Sequence, residues 1–182
     1  MKIQPISYHS RARWLRKPML SGAYRHWLID EGSLTKRLQM RYRDFAVRPT
    51  QVVYGPASLD EAQLLHMPTR KVALIREVDL LGGGQPVVFA HSVLPRVSLR
   101  GAWLGLSHLG SKPLGGALFS NPRVNRTPLS FKKLTTQHPL YKHAVSHLDE
   151  KPTYLWARRS VFRLHCAAIL VTEIFLPKIL ES

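Results

Sequence analysis

Apolar and polar residues alternate along residues 71–81 and 86–94, which is the pattern of half-buried β-strands. Between them lies Gly82-Gly83-Gly84-Gln85, a sequence typical of a hairpin turn. Similar patterns predict further strands at residues 45–54, 123–134, 154–164 and 167–176. Because consecutive strands are joined by short turns, the pattern predicts an antiparallel sheet.

Helical patterns flank these strands. Residues 11–30 and 34–42 are predicted to be helices, with Ser33 as the N-cap of the second helix. Short helices or helical turns are predicted at residues 58–61 and 103–109, and a loop at residues 113–116. These elements indicate an α+β fold with helices on one side of the sheet. No Pro-, Gly- or Ser-rich linker divides the chain, so we expect one domain over residues 1–182.

The chain is strongly basic. It has 27 Lys and Arg residues against 11 Asp and Glu residues, so its formal net charge is +16, with a pI near 10.7. Such a field attracts polyanions, anionic membrane surfaces or small anionic substrates, and composition alone does not separate these three. Nucleic-acid binding is therefore one hypothesis from the sequence.

The sequence disfavours a secreted or membrane-spanning protein. The longest apolar run, residues 166–171, is far shorter than the ~20 residues of a membrane span. The N-terminus has no apolar segment of the kind found in secretory signals. The single cysteine, Cys166, cannot form an internal disulfide or a cysteine-based zinc site, and we interpret it as a small buried residue. We expect a soluble cytoplasmic protein.

One arginine lies on an apolar strand face. In the first hairpin strand, Arg76 shares a face with Val72, Leu74, Val78 and Leu80. A guanidinium buried there requires a carboxylate partner, which either the protein or a ligand can supply. The pattern leaves both a structural salt bridge and a ligand-binding role open.

A single acidic residue lies on an apolar face of the last strand. Glu173 shares that face with Ile169, Val171 and Phe175, and no other acidic residue occurs between Glu150 and Glu181. Buried carboxyl groups are candidates for functional roles, because burial and neighbouring charges perturb their protonation. A simple Arg76–Glu173 ion pair is the structural alternative.

The remaining polar patterns are weaker signals. His91 shares a face with apolar residues of the second hairpin strand, where a lone histidine is most often a core residue with a hydrogen-bond partner. His143 and His147 have the spacing of two zinc ligands, but no glutamate follows His143, so we predict no metal site. The basic and aromatic residues 154–160 match no recognisable nucleic-acid-binding motif.

Several sequence blocks together resemble the bacterial chorismate lyase (chorismate–pyruvate lyase) family. These blocks are SLTKRL at residues 33–38, LIREV at 74–78, LGSKPLG at 109–115, LWARRS at 155–160 and LVTEIFLP at 170–177. Each block alone is a weak signal, whereas their shared order is specific. The resemblance extends from about Trp14 to Pro177.

The resemblance implies a fold, a reaction and a site. It implies a six-stranded antiparallel sheet with helical flaps over an internal ligand site. The implied enzyme converts chorismate to 4-hydroxybenzoate and pyruvate, the first committed step of ubiquinone biosynthesis, without a metal or organic cofactor. The implied product-binding residues are Leu34, Arg76, Leu114 and Glu173. His91, where the family has an arginine, is a candidate for a supporting role behind them.

The implied chemistry suits these residues. Arg76 would bind a substrate carboxylate through its planar guanidinium. Glu173 would bind the ring hydroxyl or move the proton, and Leu34 and Leu114 would line the ring pocket. Arg76 and Glu173 are the two charged residues that strand alternation had already placed on apolar faces.

Two other functions stay open at this point. One is a ligand-sensing domain of the same fold, as found in winged-helix transcription regulators, although a DNA-binding module would need a long N-terminal extension. The other is a basic nucleic-acid-binding protein, which only the charge supports. We expect a monomer that binds chorismate and 4-hydroxybenzoate, with no specific nucleic-acid partner; association with a membrane surface is left open by the charge.

Overall fold

A computed structural model describes residues 13–68, 70–101 and 103–181. In this part of the chain, seven strands form one antiparallel sheet in the order β1-β2-β3-β7-β6-β4, and β5 also pairs with β6. The strands are β1 (Ala46–Pro56), β2 (Val72–Gly82), β3 (Gln85–Pro95), β4 (Asn125–Arg126), β5 (Ser130–Thr135), β6 (Tyr154–Leu164) and β7 (Ala167–Phe175). The predicted α+β fold is confirmed, with seven strands in place of about six.

The extra strand arises within residues 123–134, which the pattern predicted as one strand. Two separate strands form there, and both pair with the same edge of β6. Pro128 lies between them. Proline lacks the backbone N–H that a continuous ladder requires, so the strand is interrupted.

Short helices connect the strands. They are α1 (Arg25–Leu28), α2 (Leu34–Arg41), α3 (Leu59–Leu64), α4 (Arg96–Leu99), α5 (Leu114–Ser120) and α6 (Pro139–Ala144). Three 3-10 helices of the described chain add Gly22–Tyr24, Leu104–His108 and Pro177–Leu180. No helix among the described residues is both long and apolar enough to cross a membrane.

The predicted β2–β3 hairpin is confirmed and its turn requires glycine. Gly83 and Gly84 have positive φ angles of 61° and 71°. Their backbone N–H groups donate to the carboxylate of Asp44 at 3.0 and 2.7 Å. The left-handed backbone and this carboxylate together fix the turn, and with it the register of the hairpin.

Two predictions, one of a helix and one of a loop, are wrong. The long helix predicted at residues 11–30 is, within its described part, only the 3-10 turn at Gly22–Tyr24 followed by α1; residues 11 and 12 lie outside the described residues. Pro18 and Leu20, whose φ of 58° is left-handed, prevent a continuous helix through the middle of this stretch. The loop predicted at 113–116 is instead the beginning of α5, which starts at Leu114 directly after the extended Pro113.

Helices cover both faces of the sheet, and not one face as predicted. The front face carries Arg76, Ala90 and Glu173, and helices α1, α2 and α5 pack against it. The back face carries Glu77 and His91, and helices α3 and α6 pack against it. Both faces of the central strands are apolar, so each must be covered to be removed from water.

The turn between β6 and β7 corrects one further prediction. His165 adopts a positive φ of 54° there, and Cys166 beside it is exposed. The interpretation of Cys166 as a buried residue is therefore wrong. Its small apolar neighbours in the sequence belong to β7, whereas Cys166 itself lies in the turn.

Candidate active site

The register of the sheet places the candidate residues in two adjacent rows on the front face. In one row, Arg76 on β2 is opposite Ser92 on β3, and Ser92 is opposite Val171 on β7. In the next row, Ala90 on β3 is opposite Glu173, which is opposite Arg158 on β6. Arg76 and Glu173 therefore reach the same side of the sheet from strands separated by β3.

A narrow cavity of about 40 Å³ lies between this face and the helices above it. All four residues implied by the resemblance, Leu34, Arg76, Leu114 and Glu173, line it. The structure therefore brings together residues that are up to 139 positions apart in the chain. The other lining residues are Thr35, Val47, Val78, Leu80, Ala90, Ser92, Pro113, Gly115, Leu118, Phe119, Phe162 and Val171.

Helices α2 and α5 form the roof of the cavity. Leu34 and Leu114 are the first residues of these two helices, and both are buried. Ser33 caps α2 by accepting a hydrogen bond from the backbone N–H of Lys36 at 3.4 Å. A Cβ atom at Gly115 would lie only 2.7 Å from Thr35 Oγ1, so the two helices meet as closely as a glycine permits.

Arg76 is a buried cation that has no acidic partner within the described part of the chain. Arg76 is only 3% exposed. Its Nη2 donates to the backbone oxygens of Gly110 and Lys112 at 2.9 and 3.0 Å. No carboxylate among the described residues forms an ion pair with it. Burial lowers the pKa of the Arg76 guanidinium. The site therefore offers a fixed positive group that a ligand anion would neutralise.

Glu173 pairs with Arg158 and not with Arg76. Nε of Arg158 donates to Oε2 of Glu173 at 2.5 Å, and the Arg158 side chain is fully buried. Its Nη1 also donates to the backbone oxygens of Trp27 at 2.8 Å and Asp30 at 2.5 Å. Arg158 thus fixes the carboxylate and ties it to the segment that precedes α2.

Sequence reasoning missed Arg158. The signal was available in Arg158-Arg159, because two consecutive arginines in a buried strand must project to opposite faces. Arg159 projects to the back face, where its Nη1 contacts Oδ2 of Asp60 at 2.6 Å. Arg158 therefore had to enter the front face beside Glu173 once β6 and β7 paired in this register.

His91 lies on the back face, so the structure does not bring it to the cavity. Its Nδ1 is 2.9 Å from Oε1 of Glu77, and its Nε2 is 3.0 Å from Oε1 of Glu61. Burial alone would lower the pKa of His91, but the hydrogen bonds and negative charges of the two glutamates outweigh it and raise the pKa to about 9. The histidine is thus a cation between two carboxylates that joins α3 to the sheet.

Of the two histidines with the spacing of zinc ligands, His143 contacts a back-face carboxylate. Nδ1 of His143 lies 2.8 Å from Oε1 of Glu77, so this ring belongs to the same back-face cluster. Over the described ranges, no three His, Cys, Asp or Glu side chains are placed to hold a metal ion.

Solved structures share this fold. The effector domain of PhnF from Mycobacterium smegmatis matches with a TM-score of 0.59 and 15% identity, over 81% of this chain and 90% of that domain. A GntR-family transcriptional regulator from Bacillus cereus matches with a TM-score of 0.56 and 11% identity, over 76% of this chain and 96% of that one. At such low identity these similarities establish the fold alone.

Sequence relatives are much closer. A probable chorismate pyruvate-lyase of Methylobacillus flagellatus is 49% identical over 171 residues, covering 94% of this chain and 96% of the relative. One of Nitrosospira multiformis is 50% identical over 163 residues, covering 89% and 91%. The family model for chorismate lyase matches residues 8–182. The chain therefore belongs to the chorismate lyase family.

Proposed function

We propose that this lyase converts chorismate to 4-hydroxybenzoate and pyruvate in the cavity between the sheet and helices α2 and α5. The observation that carries the proposal is the buried guanidinium of Arg76, which has no acidic partner among the described residues and shares an apolar cavity with the carboxylate of Glu173. The family membership supplies the substrate class.

Arg76 and Glu173 differ in what they can bind. The free edge of a guanidinium accepts a carboxylate through two parallel hydrogen bonds. The carboxylate of Glu173 accepts a hydrogen bond from a hydroxyl group. Chorismate and 4-hydroxybenzoate carry a carboxylate and a hydroxyl at opposite ends of the ring, so the ring carboxylate binds Arg76 and the 4-hydroxyl end faces Glu173.

The reaction is an elimination that aromatises the ring. The proton on C4 leaves, its electron pair forms a ring double bond, and the C3–O bond breaks with its electrons on the departing enolpyruvate. The enolpyruvate takes up a proton and becomes pyruvate, so the proton lost from C4 is balanced. Glu173 is positioned to receive or relay that proton, or to hold the hydroxyl during the step.

The apolar walls contribute by positioning and by excluding water. Leu34 and Leu114 close over the ring, and Val171 and Phe162 support it from the sheet. Holding the substrate in one orientation and removing water strengthens the interactions with Arg76 and Glu173. We expect the step to proceed without a metal or organic cofactor.

A product assay tests the proposal. Purified protein is incubated with chorismate and a chelator, 4-hydroxybenzoate is followed by its ultraviolet absorbance, and pyruvate is measured with lactate dehydrogenase. We expect the two products in equal amounts. A requirement for an added divalent metal would contradict cofactor independence, and the absence of both products would contradict the reaction.

The same assay separates the lyase from a ligand sensor. The fold is shared with a GntR-family transcriptional regulator and with the effector domain of PhnF, and a sensor would bind 4-hydroxybenzoate or chorismate without converting it. We favour the enzyme because close relatives over nearly the whole chain are named as lyases. We continue to expect a cytoplasmic monomer that acts at the start of ubiquinone biosynthesis.

A further inference from the structure

A partly buried arginine, Arg126, lies next to the cavity on the side opposite Arg76. Nε of Arg126 on β4 donates to Oγ of Ser160 at 2.8 Å, and its Nη1 donates to the backbone oxygen of Glu31 at 2.8 Å. The guanidinium also lies 5.1 Å from the ring centroid of Phe162 and 5.5 Å from that of Phe119. Both rings line the cavity, whereas Arg126 itself lines an adjacent pocket that shares Phe119 with the cavity. The guanidinium therefore lies beside the cavity, against two of its wall residues.

The sheet register shows on which side of the cavity Arg126 lies. Arg76, Ser92, Val171 and Ser160 form one continuous row across β2, β3, β7 and β6. Adjacent strands are about 4.8 Å apart, so Ser160 lies roughly 14 Å along the row from Arg76. Arg126, bonded to Ser160, therefore approaches the cavity from the side opposite Arg76.

Arg126 is also close enough to Glu173 for their charges to interact. Burial lowers the pKa of the Arg126 guanidinium, and the negative charge of Glu173 is the strongest influence in the opposite direction. No described carboxylate forms an ion pair with Arg126. Because Arg158 already pairs with Glu173, Arg76 and Arg126 leave two positive charges at or beside the site that no described carboxylate pairs.

Chorismate has a feature that fits this surplus. It is a dianion, with one carboxylate on ring carbon 1 and a second on the enolpyruvyl group at carbon 3, next to the hydroxyl at carbon 4. When the first carboxylate binds Arg76 and the hydroxyl faces Glu173, the enolpyruvyl group must lie at the Glu173 end of the cavity. Arg126, whose charge interacts with Glu173, lies beside that end.

We propose that Arg126 binds the enolpyruvyl carboxylate of chorismate and thereby distinguishes the substrate from 4-hydroxybenzoate, which lacks this group. The inference rests on the proposed function and deepens it. Arg76 then binds the carboxylate that remains in the product, and Arg126 binds the carboxylate that leaves as pyruvate. Release of pyruvate removes only the Arg126 contact, so 4-hydroxybenzoate stays bound to Arg76.

Comparison of substrate and product affinities tests this division. For Arg126→Met we expect the KM for chorismate to rise about 10–100-fold, the range for losing a hydrogen-bonded charge, while the inhibition constant of 4-hydroxybenzoate changes little. Arg76→Met should weaken both ligands. Arg123→Met is the matched control, because Arg123 is exposed on the same segment and its loss removes the same charge without touching the cavity.

Either of two results would overturn the inference: an unchanged KM for chorismate in Arg126→Met, or an equal loss of affinity for 4-hydroxybenzoate. Should Arg126→Met fail to fold, Arg126→Lys keeps the charge without the planar fork and should raise the KM while sparing product inhibition. Failure of the proposed function is a separate outcome, seen as absence of product from the wild-type protein. In that case equilibrium binding of chorismate and 4-hydroxybenzoate to the same variants still decides the role of Arg126.

Discussion

At the scale of single residues, the front-face arginines differ because their partners differ. Arg158 is neutralised by Glu173 and donates to backbone oxygens as well. Arg76 donates only to the backbone oxygens of Gly110 and Lys112 among the described residues. A buried cation without a counter-ion is costly for the empty protein. A ligand carboxylate would offset that cost, so we expect an anionic product to bind tightly.

The role of Glu173 can be tested by removing its charge while keeping its volume. For Glu173→Gln we expect turnover to fall roughly 10²–10⁴-fold, the usual range for an acid–base residue. We also expect lower thermal stability, because the fully buried Arg158 loses its counter-ion. Turnover and thermal unfolding are measured on the same preparation.

A purely structural role of Glu173 predicts a different result. A Glu173→Gln protein that unfolds at lower temperature but, while folded, turns over chorismate normally would show a purely structural ion pair. Arg158→Met is the companion variant, since it leaves Glu173 in place without its partner. A loss of turnover there at unchanged KM would indicate that Arg158 acts by positioning the carboxylate.

Part of this site could be predicted from the sequence and part could not. Strand alternation is a local property, so it placed Arg76 and Glu173 on buried faces. The partner of Glu173 depends on the register between β6 and β7, which a long-range pairing decides. Which face of β3 meets the cavity is likewise a tertiary property, and His91 projects to the other face.

At the scale of elements, the strands were predicted better than the helices. The bounds of β2, β3, β6 and β7 agree with the alternation within a residue or two, because turns with glycine or a left-handed residue limit these strands. Helices of four to eight residues carry few apolar periods, and tertiary packing determines where they form. The start of α5 at Leu114 is an example, since contact with α2 compensates for its two glycines.

The close contact between α2 and α5 predicts an effect of filling it. In Gly115→Ala the added Cβ would lie 2.7 Å from Thr35 Oγ1, so the Thr35 side chain must move or the roof helices must separate. We expect a loss of about 1–3 kcal/mol of unfolding free energy, with faster dissociation of 4-hydroxybenzoate. Stopped-flow measurement of product release gives the rate. Gly116→Ala is the matched control, because a Cβ there has no neighbour within 4 Å; identical behaviour of both variants would refute the roof contact.

The attachment of α3 to the back face predicts a pH dependence of stability. Glu61 and Glu77 outweigh the effect of burial and raise the pKa of His91 from the ordinary 6.5 to about 9. A raised pKa in the folded state means that the stabilisation is complete below about pH 6.5 and is lost as the pH rises through about 9. Its full size is roughly 3 kcal/mol.

Thermal unfolding between about pH 6.5 and 9.5 checks this dependence, since the window spans the ordinary and raised pKa of histidine. His91→Gln should be less stable at neutral pH, because two buried carboxylates lose their cation, and its stability should decline less over the window. The groups that face His91 are Glu61 and Glu77, with His143 bound to the same Glu77 oxygen. An equally steep decline in His91→Gln would assign the effect to other groups.

At the scale of the whole molecule, the formal net charge is +16, and the proposed substrate is a dianion. Much of the charge lies away from the cavity, including a groove lined by the exposed side chains of Arg70, Lys71, Arg96 and Arg100. We expect the charge to attract chorismate over distance and to attract polyanions in general, and these two effects can be separated by experiment.

Salt dependence distinguishes substrate attraction from nucleic-acid recognition. Between about 0.01 M and 0.15 M salt the Debye length falls from about 30 Å to about 8 Å, so long-range attraction is screened while contacts inside the cavity are not. We expect kcat/KM for chorismate to fall several-fold over this range with kcat nearly constant, and polynucleotide binding to disappear by about 0.15 M.

Neutralising Lys71 and Arg96 together should weaken polynucleotide binding at low salt but leave the KM at about 0.15 M unchanged, since neither residue lines the cavity. Tight polynucleotide binding that persists at physiological salt would show that the charge serves a nucleic-acid partner.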